Sequence, residues 1–216
     1  MQLFLTLVSG LAWTLVYLES IRVGFRDRTY AIPMAALALN FAWESIYAVH
    51  GLTDGLSVQG VVNVVWALAD LVIVYTLLRF GRGEFPQFVT RWMFAGWCLV
   101  VFGVAFAVQG LFIGQFGVHD AARYSAFLQN VLMSGLFVGM LVARLGLRGQ
   151  TLTIAVGKWL GTLAATILFG VIEQAPFILG LGIICSVLDL TYLALVLWVG
   201  KHPPGLAASR LLAGAR

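Results

Sequence analysis

The chain reads as an all-α integral membrane protein. It forms one domain over residues 1–216, a bundle of seven transmembrane helices with its N-terminus outside and its C-terminus cytoplasmic. Three observations predict this. Hydrophobic residues make up 61% of the 216 and charged residues only 10%, whereas a water-soluble domain carries about 25% charge. The apolar residues fall into runs of about 20, the length that crosses a bilayer, so the lipid bilayer is the first expected partner. The basic residues alternate between the connections as a membrane topology requires.

The predicted spans are about 2–19, 31–50, 58–79, 91–113, 124–144, 152–173 and 176–199. The first has no basic stretch before it. Glu19 and Arg22 follow it instead of a small-residue cleavage site, so it is expected to be a retained span and not a leader. Gly51-Leu52-Thr53-Asp54-Gly55 closes the second span and Gly81-Arg82-Gly83-Glu84-Phe85-Pro86 the third. Glu173-Gln174-Ala175-Pro176 separates the sixth from the seventh, each connection being rich in turn residues. In the fifth span, Gly135 and Gly139 have the spacing of close helix packing. Cys98 and Cys185 each lie inside an apolar run, make no metal spacing, and read as small packing residues.

Arg22, Arg26 and Arg28 lie in the first connection, and Arg79, Arg82 and Arg91 in the third. Arg144, Arg148 and Lys158 group around the fifth, and Lys201, Arg210 and Arg216 in the tail. Twelve of the thirteen Lys and Arg thus fall on one side and only Arg123 on the other, which puts the N-terminus outside. The net charge of +4 sets orientation and gives no reason to expect nucleic acid. Asp70 in LADLVIVYTLL of the third span echoes Asp189 in VLDLTYLALVL of the seventh. This is a faint parallel-repeat pattern of the three-plus-one-plus-three kind seen in some transporters.

Chemistry is expected at three acids inside apolar runs: Glu44, Asp70 and Asp189. A carboxylate at membrane depth costs about 2.5–3.5 kcal/mol by insertion scales, so such residues mark function. Glu44 is placed roughly 9 Å below the outer surface from the helix rise, and the two aspartates near mid-bilayer. Asn40, Trp43, Glu44 and Tyr47 share one helical face, as do Asn63, Trp66 and Asp70. Asp189 and Tyr192 share a third with Ser186, and Gln129, Asn130 and Ser134 make the fifth span partly polar. Polar groups in lipid need partners, so these faces are expected to converge on a cavity lined by carboxyls, amides and aromatics. A dry pocket favours the uncharged form of a carboxyl. Such an acid can hand its proton to a weak base such as an epoxide oxygen or an electron-rich alkene. Aromatic faces would stabilise the resulting cation, and exclusion of water would prolong it. Asp70 orients an acid, closes a structural network with Asn63, or carries no role. Trp43, Trp66, Tyr47 and Tyr192 serve as packing residues or cation stabilisers, and Asn40 and Asn63 as interhelical hydrogen-bonders. Glu173 reads as solvated at a span end, and Glu19 and Asp27 as facing water and nearby arginines. His50, His119 and His202 are scattered and suggest no metal site.

At NFAWESIY (Asn40 to Tyr47) and VLDLTY (Val187 to Tyr192) the chain resembles a known family. It is similar to the integral-membrane terpene cyclases of fungal meroterpenoid and indole-diterpene pathways (PaxB-like), which have bacterial relatives. The Trp66-to-Asp70 element also fits. The resemblance covers essentially the whole chain and implies a lipophilic prenylated substrate. It further implies no cofactor and a metal-independent cyclisation begun by protonation, with Glu44 and Asp189 in the positions of essential acids. A bacterial cell membrane is the expected location. Neither a DDxxD nor a DxDD motif is present. A small proton-coupled transporter, with Asp70 and Asp189 as coupling acids, is the alternative. The prolines deepest in spans, Pro33 and Pro176, lie near span ends, which speaks for a fixed cavity over an alternating one. A retinal protein is excluded because the last span has no mid-helix lysine.

Overall fold

The computed structural model describes residues 1–53 and 58–202. Asp54 and Gly55 of the second connection, and Arg210 and Arg216 of the tail, lie outside the described residues. Among the described residues every element is helical: α1 (Gln2–Asp27), α2 (Met34–Thr53), α3 (Val58–Phe80), α4 (Arg91–Arg144), α5 (Leu152–Ala165) and α6 (Pro176–Lys201). A 3-10 turn (Gly81–Glu84) follows α3, and a π-helical turn (Thr166–Ile172) extends α5.

The described surface carries many exposed large apolar side chains, and polar side chains are held inside among an apolar core. On α1, Leu3, Leu7, Leu11, Leu15 and Leu18 form an exposed stripe at helical spacing, while Tyr17 and Ser20 face inward and are buried. Asn40, Glu44, Asp70, Gln109, Lys158 and Asp189 are all buried. A soluble domain seldom buries acids and lysines in this way, whereas a chain bathed in lipid must turn its polar groups inward. Five described helices are long and apolar enough to cross a membrane, counting α4 as one and α5 with its π turn. This is a multi-pass membrane protein. The 20-residue α2 has the length, but Asn40, Glu44 and His50 lower its apolarity.

Residues 114–123, expected as a connection, form part of α4, which is 54 residues long. A straight helix of that length would span about 80 Å. It does not run straight. Gly117 has φ 72° and ψ 164°, a conformation that only glycine adopts readily, and there the chain folds back on itself. Gln109 Nε2 donates to Gln129 Oε1 at 3.1 Å, although twenty residues of straight helix would hold them about 30 Å apart. The two arms, 91–116 and 118–144, thus lie side by side.

The helices close a ring: α1 packs on α3 and α5, α2 on α3 and α4, and α6 on α4 and α5. Small residues bring α1 and α5 together. A Cβ on Gly157 would sit 2.9 Å from a Val16 methyl, and one on Gly161 2.7 Å from the Trp13 ring. The close packing expected at Gly135 and Gly139 is absent, since a Cβ at either would meet no atom within 4 Å. Spacing identifies a small-residue face but not the helix it meets, and Gly157 and Gly161 carry the same spacing one span later.

Two boundaries also move. α1 continues past residue 19 to Asp27, with Glu19 and Arg22 joined by two 2.7 Å hydrogen bonds on its surface. α2 continues through Gly51, Leu52 and Thr53, and the Thr53 hydroxyl bonds back to Val49 and His50 carbonyls. Glu173 is not simply solvated: it pairs with Arg123 at 3.0 Å. At the opposite end, Glu84 receives Thr29 Oγ1 at 2.7 Å and Arg148 at 3.0 Å, and the Arg144 guanidinium stacks 4.5 Å from the Tyr30 ring.

Candidate active site

The extension of α2 changes the depth of Glu44. The residue lies ten positions from the helix start and nine from its end, so it sits at mid-helix and not near the outer surface. Asp70 and Asp189 are also near the centres of α3 and α6. All three acids are therefore at similar depth in their helices.

Two of them belong to one hydrogen-bonded chain across α1, α2 and α3. Tyr17 Oη donates to Glu44 Oε1 at 3.3 Å. Asn40 Nδ2 donates both to the Tyr17 hydroxyl and, at 2.9 Å, to Asp70 Oδ2. Asn40 and Glu44 share a face of α2 because they are four residues apart, so Asn40 links the two acids. Asp70 is thus tied to Asn40, while Asn63 bonds to Gln59 at 2.8 Å. Trp66 stacks on Tyr17 at 5.8 Å, and its indole N–H donates to the Thr14 hydroxyl at 3.1 Å. The Tyr17 ring is therefore backed by a tryptophan that is itself fixed, and its hydroxyl is held by Glu44 and Asn40. Sequence reasoning missed Tyr17, whose signal was a hydroxyl-bearing aromatic on the α1 face that also carries Ser20.

Asp189 stands in a separate group. Lys158 Nζ lies 2.6 Å from Asp189 Oδ1 and 2.6 Å from the Ser134 hydroxyl. The pair is sealed: Lys158 is 0% and Asp189 1% exposed. Tyr192, one turn along α6, packs its ring 5.3 Å from Phe137. The sequence places Lys158 with the basic connection because it follows the start of its span closely. It is instead a buried cation two turns inside α5. Its absence from the connection leaves the rest of the basic asymmetry in place.

Trp43, Tyr47 and Asn63 line a small cavity of about 190 Å³ with His50, Gln59 and His119. The Trp43 indole N–H donates to the Ala122 carbonyl at 3.0 Å. A larger groove of about 610 Å³ lies between α2 and the two arms of α4, walled by Leu39, Trp97, Val104 and Leu132, with Gln109, Ser125 and Gln129 as its polar members. None of the three acids lines either space. Neither of these two spaces is the single carboxyl-lined chamber expected from the sequence. The polar faces do turn inward, but they satisfy one another in two groups and close around themselves.

That satisfaction is incomplete. Glu44 Oε2, Asp70 Oδ1, Asp189 Oδ2, and the hydroxyls of Tyr47 and Tyr192 are buried without a hydrogen-bond partner. Buried polar groups are overwhelmingly paired, so each exception calls for a reason. Five of the nine residues singled out from the sequence carry one.

A profile of the Pyr4-like transmembrane terpene cyclases matches residues 1–202. The chain belongs to this family. It is 30% identical to terpene cyclase pyr4 of Aspergillus fumigatus over 89% of its own length and 83% of the relative's. It is 29% identical to the Pyr4-family terpene cyclase mfmH of Annulohypoxylon moriforme, covering 76% of the chain and 68% of the relative. Terpene cyclase macJ of Penicillium terrestre is 32% identical over 76% and 64% respectively. No solved structure matches the chain. Family membership does not favour the transporter alternative. The relatives named are fungal, and the expectation of a bacterial membrane finds no support among them.

Proposed function

We propose that the protein is a membrane-embedded terpene cyclase in which Glu44 protonates an epoxide or alkene of a prenyl chain and so starts carbocation cyclisation. The chain crosses the membrane seven times in this reading, each arm of α4 and α2 counting as crossings, with the N-terminus outside. The observation that carries the reading is the state of Glu44. It is buried at mid-helix, one carboxyl oxygen is fixed by Tyr17, and the other has no protein partner. A fixed acid with a free oxygen is arranged to donate a proton once substrate arrives.

Asp70 shares the hydrogen-bonded chain and supports the acid through Asn40 and Tyr17. Trp43, Trp66, Tyr47 and Tyr192 offer aromatic faces to the developing cation. The substrate is lipophilic, a prenyl chain attached to an aromatic or other non-terpenoid unit. The groove beside α2 has a volume within the range of small-molecule sites, about 300–1,000 Å³. Because neither space reaches the acids, binding requires the helices around Glu44 to part, and the closed packing keeps water from them until then.

The test is purified protein with a phenol bearing a terminally epoxidised farnesyl chain. The expected product is cyclic, has the mass of the substrate, and forms equally well in the presence of a metal chelator. Loss of turnover on chelation would contradict protonation by a side chain as the trigger. Movement of the probe across vesicles without conversion would return the transporter reading.

A further inference from the structure

The larger groove carries polar chemistry that the proposed initiation does not use. Leu39 on α2 and Leu128 and Gln129 on the second arm of α4 wall it, and the first arm contributes Ala105 and Gln109. Ala105, Gln109 and Ser125 are buried and make its floor, whereas Trp97, Val100, Val104 and Leu132 are exposed and make its rim. In a chain bathed in lipid, such a groove opens sideways to the bilayer. One turn beyond Leu39 on the same face of α2, Trp43 donates to the Ala122 carbonyl, one turn before Ser125. That contact separates the groove from the smaller cavity.

The floor holds a half-used amide. Gln109 is 1% exposed; its Nε2 donates to Gln129 at 3.1 Å, and its Oε1 has no partner. The Ser125 hydroxyl cannot supply one, because it donates to the Ala121 carbonyl at 2.6 Å. A buried carbonyl oxygen among apolar groups is costly until a donor reaches it. The acyl chains of lipids carry no donor. An apolar molecule with a hydroxyl carries one.

From this we infer that the groove receives the substrate from the bilayer and that Gln109 reads a hydroxyl on its non-terpenoid ring. The inference takes the identity of the ligand from the proposed function. The ring hydroxyl donates to Gln109 Oε1, and the prenyl chain lies along the apolar walls. Gln109 is thus a specificity residue. Gln129 is a positioning residue: by engaging Nε2 it fixes which end of the Gln109 amide remains free. No bond is made or broken here. An analogue without the hydroxyl leaves the oxygen unpaired and binds more weakly.

The experiment measures binding with a ligand that cannot react, a phenol bearing a fully saturated farnesyl chain. A diazirine derivative of it is photo-crosslinked to the purified protein in phosphatidylcholine nanodiscs, and the labelled residues are mapped by mass spectrometry. Label is expected on groove residues. The unlabelled phenol is expected to compete several-fold to about tenfold better than its methyl ether, the difference one hydrogen bond makes. Gln109→Leu/Gln129→Leu replaces both amides and leaves neither unpaired. It is expected to abolish this preference and to bind the ether as before. Should that variant not fold, Leu132→Trp on the exposed rim fills the groove and is expected to lower labelling several-fold. Label outside the groove, equal competition by phenol and ether in the wild-type chain, or a preference that survives loss of both amides would each overturn the inference. So would undiminished labelling of Leu132→Trp. Equal competition by a diacylglycerol, a lipid with one free hydroxyl, would overturn it by making the groove a lipid site. Turnover of the epoxidised phenol is followed separately: its absence in the wild-type chain would count against initiation by Glu44, while the phenol-to-ether ratio still decides the groove.

Discussion

At the scale of single residues, the site is a contrast between carboxyls with different neighbours. Glu44 meets a phenol, Asp70 an amide and Asp189 an ammonium. The same functional group thus has three different settings, and such differences are how a fold can assign acid and base roles. Tyr17 tests this directly. Among the described residues its hydroxyl is the side-chain group that bonds Glu44, and it also meets Asn40. Tyr17→Phe keeps the ring stacked on Trp66 and deletes the hydroxyl with its hydrogen bonds to Glu44 and Asn40, each worth about 1 kcal/mol. Turnover is expected to fall several-fold to about tenfold, with the thermal midpoint of the purified protein lowered by only a few degrees. Wild-type turnover in this variant would remove Tyr17 from the positioning of the acid.

At the scale of elements, small residues decide which helices touch. Gly157 and Gly161 let α1 lie against α5, which presents Lys158 to Ser134 and Asp189 on the other side of α5. Gly161→Ala forces a methyl into the Trp13 ring and is expected to destabilise by about 1–3 kcal/mol. Gly135→Ala meets nothing and is expected to be neutral or slightly stabilising, since alanine is the better helix former. Thermal unfolding in detergent compares the two, and equal effects would contradict the packing described. Gly117 acts differently. Its positive φ turns 54 residues of near-continuous helix into two adjacent arms without a loop, so no run of turn residues announced the reversal.

At the scale of the whole molecule, the sequence carried the architecture further than the contacts. Composition and the 20-residue apolar runs pointed to a helical membrane protein because lipid demands both. The faces bearing Asn40, Glu44, Asp70 and Asp189 were legible from helical spacing, since polar groups in lipid must turn inward. Their partners were not. Which inward faces meet depends on the order of helices around the ring, and one-dimensional spacing is silent on that order. The parts that Tyr17 and Lys158 play are not legible for this reason: each acquires meaning only from a residue on another helix. Lys158 illustrates the rule most sharply, because a mid-helix aspartate such as Asp189 needs a counter-charge and the nearest lysine in sequence, Lys201, lies beyond the core of its own helix. The topology has its own test. His119→Cys and Arg82→Cys place thiols on exposed positions at opposite ends, while Cys98 and Cys185 are buried. A membrane-impermeant maleimide applied to intact cells should label position 119, and position 82 only after lysis. The reverse pattern would invert the orientation.

The account as a whole turns on the proton held by Glu44. Turnover of the epoxy-farnesyl phenol by purified Glu44→Gln, with folding verified by its melting curve, measures this most directly. Glutamine keeps the shape and an acceptor for Tyr17 but has no proton of comparable acidity, so cyclised product should fall by about 10²–10⁴-fold or more. A folded Glu44→Gln protein that cyclises at the wild-type rate would contradict the account.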